Sequence, residues 1–406
     1  MKVLHTADWH IGKILHKHAL KNEIQAFFNW LLDVISQEHV NLLLVSGDIF
    51  DLANPSSKDR EIYYRFLSQL AATETQIIIT GGNHDSINLL DAPKEILQHL
   101  SINVIGGAKE NIEEELIEIH DAQGKLAAVV AAVPFLRDKD LRNMNTDKKY
   151  KNREEAVREG IKLHYQKLAD ICESKYKNLP AIAMGHLYAK GAITSESERD
   201  IQVGNQAAVE SNIFSPIFDY VALGHIHRPQ VIGKNERIRY SGSPIALSFS
   251  EKEDSKCVVL IDIKAKNQLE VKPISIPKQR ELKKLKGSID EIQEKLKNYN
   301  PEYPLSSFVE LEIIEETYSS AMIAAMEEMV SEFTDQDKFK ILKNKITFEN
   351  GQNNTADLFT QGEHIEDLTP IEVFNKKLES EEIDDVKTKL LQDAFLEILE
   401  LVQSED

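Results

Sequence analysis

Five short apolar segments of this chain each end in a group of Asp, His or Asn residues. The segments are residues 2–6 before ADWH, 41–45 before SGDIFD, 76–80 before GGNHD, 181–184 before GHL and 220–223 before GHIH. Runs of this length and composition predict buried β-strands. Because polar side chains at the carboxyl ends of strands are typical of α/β active sites, the pattern predicts one site on loops above a sheet.

Two helical patterns lie between the early strands, over Glu23–Ser36 and Lys58–Ala71. Strands that alternate with helices predict an α/β fold with largely parallel strand pairing. The 406 residues are too many for one ordinary core, so we expect two or three domains.

Seven side chains at the strand ends are candidate metal ligands. In an extended chain, residues i and i+2 project to the same side, so Asp8 with His10, and His225 with His227, can each present two ligands to one place. The residue between the members of each pair would point into the core. The candidate set is Asp8, His10, Asp48, Asn83, His186, His225 and His227. Five other histidines are predicted to be core residues rather than ligands: His5, His39, His99, His120 and His164.

This set has too many ligands for one ion and suits two ions if Asp48 bridges them. Two divalent ions roughly 3.5–4 Å apart stabilise the attacking and leaving oxygens of a phosphoryl displacement. Their combined charge exceeds that of the Asp8 and Asp48 carboxylates, so the site would attract an anionic phosphodiester. Nitrogen and oxygen ligands favour Mn²⁺, with Fe²⁺, Mg²⁺ and Zn²⁺ as alternatives. Cys172 and Cys257 are too few for a thiolate site.

The net charge of −19 is unevenly distributed. Residues 351–406 hold 15 acidic side chains against 4 lysines, so this tail carries more than half of the excess. The acidic total therefore excludes neither DNA nor RNA as a substrate. No apolar run approaches the roughly 18 residues of a membrane span and no leader precedes MKVLHTADWH, so we expect a cytoplasmic protein with no membrane partner.

The motifs DWH, GDIFD, GNHD, GHL and GHIH, in this order, resemble the calcineurin-like metallophosphoesterase superfamily. Longer segments are similar to its double-strand-break repair nuclease subunits: LHTADWHIGK, GDIFDLANPSS, LGHIHRPQ and YSGSPIALSFSE. This closer resemblance extends over most of the chain. It implies a β-sandwich flanked by helices, a small α+β capping domain and a C-terminal helical segment that binds a partner.

The resemblance also implies a role for each candidate residue. One ion would be held by Asp8, His10, Asp48 and His227, and the other by Asp48, Asn83, His186 and His225. His84 follows a ligand and would face the substrate, where it stabilises the transition state or protonates the leaving oxygen. Asp51 matches the aspartate that orients this histidine in related phosphatases, and a helix or turn cap is its alternative role.

By the same resemblance the chain is a Mn²⁺-dependent DNA nuclease, with 3′→5′ exonuclease activity on duplex ends and endonuclease activity on single strands and hairpins. Its reaction would be metal-assisted hydrolysis, in which His84 helps the 3′ oxygen to depart. The ligands themselves do not distinguish DNA from a small phosphodiester. A phosphatase or small-molecule phosphodiesterase is therefore the alternative function. An inactive scaffold would lack a ligand, and none is missing.

The character of the chain changes near residue 275. We predict four parts: a nuclease domain over 1–275, a capping domain over 276–350, a linker over 351–365 and a helical segment over 366–406. In the cap, Ser288 is the predicted N-cap of a helix. Four lysines of a strand there would meet a DNA backbone or, alternatively, only solubilise an exposed face: Lys338, Lys340, Lys343 and Lys345.

The final segment has two apolar faces, over residues 371–378 and 386–399. Two helices on a linker have no core of their own and need a partner surface. The resemblance assigns that surface to an ATPase subunit, with docking on the chain's own nuclease domain as the alternative. It also implies a homodimer within a heterotetramer, through apolar helices near Phe27, Trp30 and Leu31 that would equally serve an internal core.

Overall fold

The computed structural model describes residues 1–142, 152–198, 208–315, 320–333 and 337–348, with residues 374, 378, 387–392, 394 and 395. The strands are β1 (Lys2–Thr6), β2 (Ile14–Leu15), β3 (His18–Ala19), β4 (Leu42–Ser46), β5 (Gln76–Thr80), β6 (Ile102–Ile105), β7 (Leu116–His120), β8 (Leu126–Ala132), β9 (Ala181–His186), β10 (Tyr220–Gly224), β11 (Gln230–Ile232), β12 (Asn235–Tyr240), β13 (Cys257–Ala265), β14 (Gln268–Ser275), β15 (Leu282–Gly287), β16 (Ser307–Glu315) and β17 (Phe339–Phe348). The helices are α1 (Lys21–Glu38), α2 (Ser57–Leu70), α3 (Ile87–Asp91), α4 (Lys94–Gln98), α5 (Asp138–Arg142), α6 (Arg153–Lys175), α7 (Ile289–Lys297) and α8 (Ser320–Glu332). Within this part of the chain, no helix is long and apolar enough to cross a membrane.

One six-stranded sheet has the strand order β14-β13-β1-β4-β5-β6. β1, β4, β5 and β6 run parallel, whereas β13 pairs antiparallel with both β1 and β14. The register sets Val3 beside Leu42 and Leu44 beside Ile78. The carboxyl ends of β1, β4 and β5 therefore lie at the same edge of this sheet.

The second six-stranded sheet has the order β11-β12-β10-β9-β8-β7. β8, β9, β10 and β12 are parallel, and antiparallel strands lie at both edges. Gly224 lies beside His186 in the register of β10 and β9, so the two GH motifs end next to each other. The predicted parallel pairing is confirmed for the strands that carry the motifs.

The two sheets pack face to face over a buried apolar layer. Leu44 and Ile78 of the first sheet and Ile182 and Tyr220 of the second belong to this layer. α1 and α2 cover the outer face of the first sheet, and α6 covers the outer face of the second. The result is a β-sandwich flanked by helices, as predicted.

The predicted elements around the motifs agree closely with the structure. The five motif strands coincide with β1, β4, β5, β9 and β10 to within 2 residues at each end. α1 extends 2 residues beyond the prediction at each end. α2 begins after Ser56, whose hydroxyl accepts from Asp59 N while the Asp59 carboxylate accepts from Ser56 N. This reciprocal cap fixes where the helix starts.

The helix face considered for self-association lies mostly inside the molecule. Phe27 and Leu31 of α1 are buried in the core beneath the first sheet, and Trp30 packs partly buried against it. The internal-core alternative therefore holds for Phe27 and Leu31. A homodimer stays a prediction.

The chain divides into two compact units. One unit comprises Met1–Lys284, Asn300–Glu310 and Gln336–Lys343, and the other Leu285–Tyr299, Leu311–Asp335 and Asn344–Asp406. β15, β16 and β17 form a separate three-stranded sheet. Ser288 caps α7 as predicted, because its hydroxyl accepts from Glu291 N and the Glu291 carboxylate accepts from Ser288 N. The domain boundaries stay predictions, and the predicted linker lies outside the described residues.

Part of the predicted helical tail is described. Phe374 and residues 387–392 are helical, and the rings of Phe374 and Phe395 stack with their centroids 4.0 Å apart. Leu390 and Leu391 are 70% and 40% exposed. One phenylalanine from each predicted apolar face therefore takes part in this contact, while Leu390 and Leu391 are exposed.

Candidate metal centre

The loops that follow β1 and β4 run side by side at the carboxyl edge of the first sheet. Asp8 N donates to Gly47 O at 3.1 Å, and His10 N donates to Asp48 O at 3.0 Å. The loop after β10 joins them, because His225 N donates to Asp8 Oδ1 at 2.8 Å. Hydrogen bonds from backbone N–H groups therefore join the strand ends of both sheets at one place.

Two glycines permit this close approach. Gly47 has a φ of +80°, and a Cβ on it would lie 2.1 Å from His186 Nδ1. A Cβ on Gly82 would lie 2.1 Å from Asp48 Oδ1. A larger residue at either position would displace a candidate ligand, which explains the glycines in SGD and GGNHD.

Four of the seven candidate ligands have a left-handed backbone, with φ of 54° at Asp8, 46° at His10, 48° at Asp48 and 101° at His225. Such strain in non-glycine residues clusters at functional sites. The extended geometry predicted for Asp8 with His10 and for His225 with His227 is wrong, because each pair lies beyond its strand, β1 or β10, and a turned backbone directs the side chains. Trp9 between them is nevertheless buried in the core, as predicted.

Asp8, His10 and His227 form one buried cluster, in which one ligand atom of each lies within 4.8 Å of the others. Nε2 of His10 and Nε2 of His227 are 3.1 Å apart. Their Nδ1 atoms have other partners, Asp51 Oδ1 at 3.1 Å and Ser197 Oγ at 2.6 Å. This arrangement leaves both Nε2 atoms for a metal ion.

Asp48, His186 and His225 form a second buried cluster. His186 Nδ1 donates to Ser46 O at 3.0 Å, so Nε2 is the ring nitrogen turned towards the cluster. That Nε2 lies 2.9 Å from Asn83 Oδ1 and 3.4 Å from Asp48 Oδ2. Asn83 therefore adds an amide oxygen to this cluster.

Asp48 lies between the two clusters. Its Oδ1 accepts from His84 N at 2.9 Å, which fixes the carboxylate. Its Oδ2 is 3.4 Å from His186 Nε2 and 3.6 Å from His10 Nε2. One oxygen of Asp48 is therefore within reach of a ligand from each cluster.

Two buried atoms of the centre, Asp8 Oδ2 and His225 Nε2, have no hydrogen-bond partner among the described residues. Leaving a buried polar group unpaired costs about 1–3 kcal/mol. Divalent cations at the two clusters would satisfy these atoms, since carboxylate oxygen and imidazole nitrogen are their usual ligands. The residues present therefore fit a metal site.

Burial and neighbouring charges perturb the pKa values of the cluster. Burial raises the pKa of Asp8 to about 7, and the Asp48 carboxylate adds to the rise. Burial favours a lower pKa for His186, but the Asp48 carboxylate raises it to about 9. Burial lowers the pKa of His10 to about 4 and the pKa of His225 well below its usual value. The His10 and His225 imidazoles are thus kept neutral, as metal binding requires, whereas the Asp48 carboxylate favours the protonated form of His186, which would lose its proton on binding a metal ion.

His84 lies against both the first cluster and Asp48. Its ring meets the His10 ring edge to face, with centroids 4.8 Å apart, and its Nε2 is 3.9 Å from Asp48 Oδ2. Its Nδ1 is 2.7 Å from Asp51 O. Because a carbonyl oxygen only accepts, Nδ1 carries a proton and Nε2 is the nitrogen turned towards Asp48.

Asp51 contacts His84 through its main-chain carbonyl. The Asp51 carboxylate lies 3.1 Å from His10 Nδ1 and 3.2 Å from Lys13 Nζ. The hydrogen bond from His10 lowers the pKa of Asp51 to about 2 despite its burial. Ser56, not Asp51, is the N-cap of α2. The carboxylate therefore orients His10.

Two family models match the chain. The model described as calcineurin-like phosphoesterase matches residues 1–229, which include every candidate ligand. The model SbcD_C, described as type 5 capsule protein repressor C-terminal domain, matches residues 278–382. The SbcD subunit of the nuclease SbcCD from Escherichia coli (strain K12) is 32% identical over 100% of this chain and 99% of its own length. The chain belongs to the SbcD family of calcineurin-like phosphoesterases.

Further relatives in the SbcD family carry the same name. The Rhodobacter capsulatus protein is 36% identical over 65% of this chain and 66% of its own length, and the Bacillus subtilis protein is 32% identical over 65% and 66%. The calcineurin-like fold predicted from the motifs is confirmed. The family implies a dinuclear site for divalent metal ions, and the Asp and His clusters of this centre are its candidate ligands.

Sequence reasoning missed residues that brace this SbcD-family site. The Asp85 carboxylate accepts from Ile49 N and Phe50 N at 3.0 Å and from Gly82 N at 2.9 Å, so it ties the loop after β4 to the GGNHD loop. Arg137 Nη2 donates to Asp85 O at 3.2 Å. The last letter of GNHD was the available signal for Asp85. Arg137 lies 52 positions away, and no local pattern marks it.

The five histidines predicted to be core residues divide into two groups. His5 and His164 are buried, as predicted, with His5 Nδ1 3.0 Å from the Tyr220 hydroxyl and His164 Nε2 2.6 Å from Glu115 Oε2. The prediction of burial is wrong for three histidines at the ends of α1, α4 and β7, which are exposed: His39, His99 and His120.

Proposed function

We propose that this chain is the Mn²⁺-dependent nuclease subunit of an SbcCD-type complex, a 3′→5′ exonuclease on duplex ends and an endonuclease on single strands and hairpins. It would act in the cytoplasm, in DNA end processing, repair and recombination. One observation carries the proposal: oxygen and nitrogen ligands meet in two adjacent buried clusters, with Asp48 Oδ2 within 3.6 Å of a histidine of each, in a chain aligned over its whole length with a nuclease subunit.

In this proposal each cluster holds one Mn²⁺ ion. One ion binds Asp8, His10, Asp48 and His227, and the other binds Asp48, Asn83, His186 and His225. When bound, two such ions polarise a phosphodiester and activate water for in-line displacement. Nitrogen and oxygen donors without thiolate support Mn²⁺ over softer metals.

His84 and Asp51 act from the protein side. The Asp51 carbonyl holds His84 Nδ1–H at 2.7 Å, which fixes the ring with Nε2 towards Asp48. We assign to His84 Nε2 the stabilisation of the transition state or the protonation of the departing 3′ oxygen. The Asp51 carboxylate keeps the proton of His10 on Nδ1, so that His10 Nε2 is free to bind metal.

The four lysines considered for DNA contact are all exposed: Lys338, Lys340, Lys343 and Lys345. Lys343 pairs with Glu310 at 3.1 Å, and Lys338 donates to Asn300 at 2.9 Å. Exposed cations of this kind contact a DNA backbone without reading its sequence. DNA is therefore a proposed partner. The resemblance to repair nuclease subunits adds the ATPase and a second copy of the chain, in a heterotetramer.

The wild-type chain with Mn²⁺ is expected to release mononucleotides from a blunt, end-labelled DNA duplex, and EDTA is expected to stop the release. The measurement compares the chain alone with the chain co-expressed with an SbcC-type ATPase. Bis(4-nitrophenyl) phosphate serves as a small phosphodiester that needs only the metal centre. Its hydrolysis without DNA cleavage under any condition would contradict the nuclease proposal and support a small-molecule phosphodiesterase.

We expect the double substitution Leu390→Asp, Leu391→Asp in the full chain to abolish co-purification with the co-expressed ATPase. Both leucines are exposed on the helical tail, and buried apolar contacts would drive its association with a partner. Hydrolysis of bis(4-nitrophenyl) phosphate is expected to stay unchanged. Leu100→Asp, at a leucine that is 43% exposed outside the tail, is the matched control. Retained co-purification would show that these leucines do not bind the ATPase, and it would favour docking of the tail on the chain's own nuclease domain.

A further inference from the structure

A hydrogen-bonded relay lies behind His227, on the ring nitrogen that faces away from His10. His227 Nδ1 is 2.6 Å from Ser197 Oγ and 3.4 Å from Glu251 Oε1, and Ser197 Oγ is hydrogen-bonded to the same carboxylate oxygen. Because a carboxylate only accepts, the Ser197 hydroxyl donates to Glu251 and accepts from His227 Nδ1–H. The relay therefore leaves the lone pair of His227 on Nε2, 3.1 Å from His10 Nε2.

Lys256 completes the relay from the other side. Its Nζ lies 2.5 Å from Glu251 Oε2 and also donates to the carbonyl of His227 at 2.9 Å. The Glu251 side chain is fully buried and that of Lys256 is 8% exposed. The pair therefore holds both the ring and the main chain of His227.

A buried ion pair is not needed merely to hold these loops together. Desolvating an ion pair is costly, and well-packed apolar side chains would stabilise the loops at least as well. Asp51 stands in a similar relation to His10, with its Oδ1 3.1 Å from His10 Nδ1. Both imidazoles of the first cluster therefore have a carboxylate behind Nδ1, and only the carboxylate of Glu251 acts through a hydroxyl.

We propose that Glu251 is a positioning residue for His227. Acting through the Ser197 hydroxyl, Glu251 holds the His227 ring in the tautomer that can bind metal, and Lys256 is the counter-ion of Glu251. This inference rests on the proposed function, because it takes His227 as a metal ligand. Carboxylates behind a ligating imidazole set its tautomer and orientation, and losing one weakens metal affinity or activity about 10- to 100-fold. We expect the loss of the Glu251 carboxylate to weaken the affinity of one of the two metal sites by a similar factor.

Glu251→Gln is the decisive variant, because it keeps the shape of the side chain and removes its charge. Lys256 would still have Asp254 Oδ2 at 3.8 Å. Glu251 and Lys256 also line a cavity of about 350 Å³, which has room for water beside the altered group. We therefore expect the variant to fold. Ser197→Ala tests the same relay at a side chain that is only partly buried.

The test titrates Mn²⁺ calorimetrically into the metal-free full-length chain and measures the unfolding temperature of the same samples. Glu251→Gln is expected to weaken one of two Mn²⁺ sites about 10- to 100-fold, with little change in the metal-free unfolding temperature, and Ser197→Ala to shift the affinity in the same direction. Glu253→Gln is the matched control, since this neighbouring side chain is 86% exposed. Excess Mn²⁺ is expected to restore DNA cleavage by Glu251→Gln.

Wild-type Mn²⁺ affinity in both relay variants would overturn the positioning role and leave the proposed function in place. Weakened binding that appears only with a large fall in the metal-free unfolding temperature, and that excess Mn²⁺ does not rescue, would overturn it in favour of a purely structural role. If Glu251→Gln fails to fold, the affinity of Ser197→Ala decides. Absence of Mn²⁺ binding to the wild type would instead remove the proposed ligand set.

Discussion

Asp48→Ala is expected to lower the rate of Mn²⁺-dependent DNA cleavage by about 10³-fold or more and to weaken Mn²⁺ binding at both sites. Asp48 Oδ2 lies 3.4 Å from His186 Nε2 and 3.6 Å from His10 Nε2, so the carboxylate serves both clusters. Removing one preorganised electrostatic contact with a transition state costs about 10²–10³-fold. A shared ligand is expected to cost more, because both ions depend on it.

Asp48→Asn separates the charge of this side chain from its shape. The amide oxygen can still accept the hydrogen bond from His84 N, which is 2.9 Å long in the wild type, so the GGNHD loop is expected to stay in place. The negative charge between the clusters is lost, however. We expect Asp48→Asn to bind Mn²⁺ nearly as weakly as Asp48→Ala and to unfold at a temperature closer to that of the wild type.

Calorimetric titration with Mn²⁺ and cleavage of an end-labelled duplex, on the same protein preparations, check this prediction. Asp33→Ala is the control, because Asp33 lies on the exposed face of α1. Two intact Mn²⁺ binding events in Asp48→Ala would show that the carboxylate is not shared. Cleavage at the wild-type rate would remove Asp48 from the catalytic centre.

Most of the sandwich could be predicted from the sequence because its elements are set by local periodicity. The runs that became β1, β4 and β5 are continuous and apolar, as expected of parallel strands buried on both faces. The helical patterns of α1 and α2 matched to within two residues because one face of each must cover the sheet. Because each motif follows the carboxyl end of a predicted strand, the candidate ligands could be predicted to lie at one edge of a sheet.

The local geometry of the centre could not be predicted in the same way. Asp8 and His10 face the site because their backbone turns into the left-handed region, which a strand-alternation rule does not anticipate. Asp51 reaches His84 with its carbonyl, and side-chain identity says nothing about carbonyl direction. Ser197 and Glu251 lie 30 and 24 positions from His227, so no spacing pattern links them. Such contacts depend on how loops from different strands pack.

His84→Gln is expected to lower the rate of DNA cleavage about 10²- to 10⁴-fold while both Mn²⁺ sites remain occupied. His84 is placed for the chemistry without belonging to either proposed ligand set, with Nδ1–H on the Asp51 carbonyl at 2.7 Å and Nε2 3.9 Å from Asp48 Oδ2. Glutamine can keep a hydrogen bond to that carbonyl but cannot transfer a proton near neutral pH. His84→Gln is thus expected to lose cleavage but keep Mn²⁺ binding, whereas Asp48→Ala is expected to lose both.

Two substrates distinguish the roles left open for His84. DNA has a 3′ oxygen that must be protonated as it departs, whereas the 4-nitrophenyl ester of thymidine 5′-monophosphate releases a phenolate that needs no proton. If His84 is a general acid, His84→Gln loses far more activity on DNA than on the ester. An equal loss on both substrates assigns His84 to stabilising charge on the phosphoryl oxygens instead.

The ester comparison works only if the substitution leaves the metal centre intact, so Mn²⁺ affinity is measured on the same samples. His99→Gln is the matched control, since His99 is exposed at the end of α4. Cleavage of both substrates at the wild-type rate would exclude His84 from the chemistry. The Asp51 carbonyl would then hold the ring only as part of the loop packing, and the proton for the leaving oxygen would have to come from water.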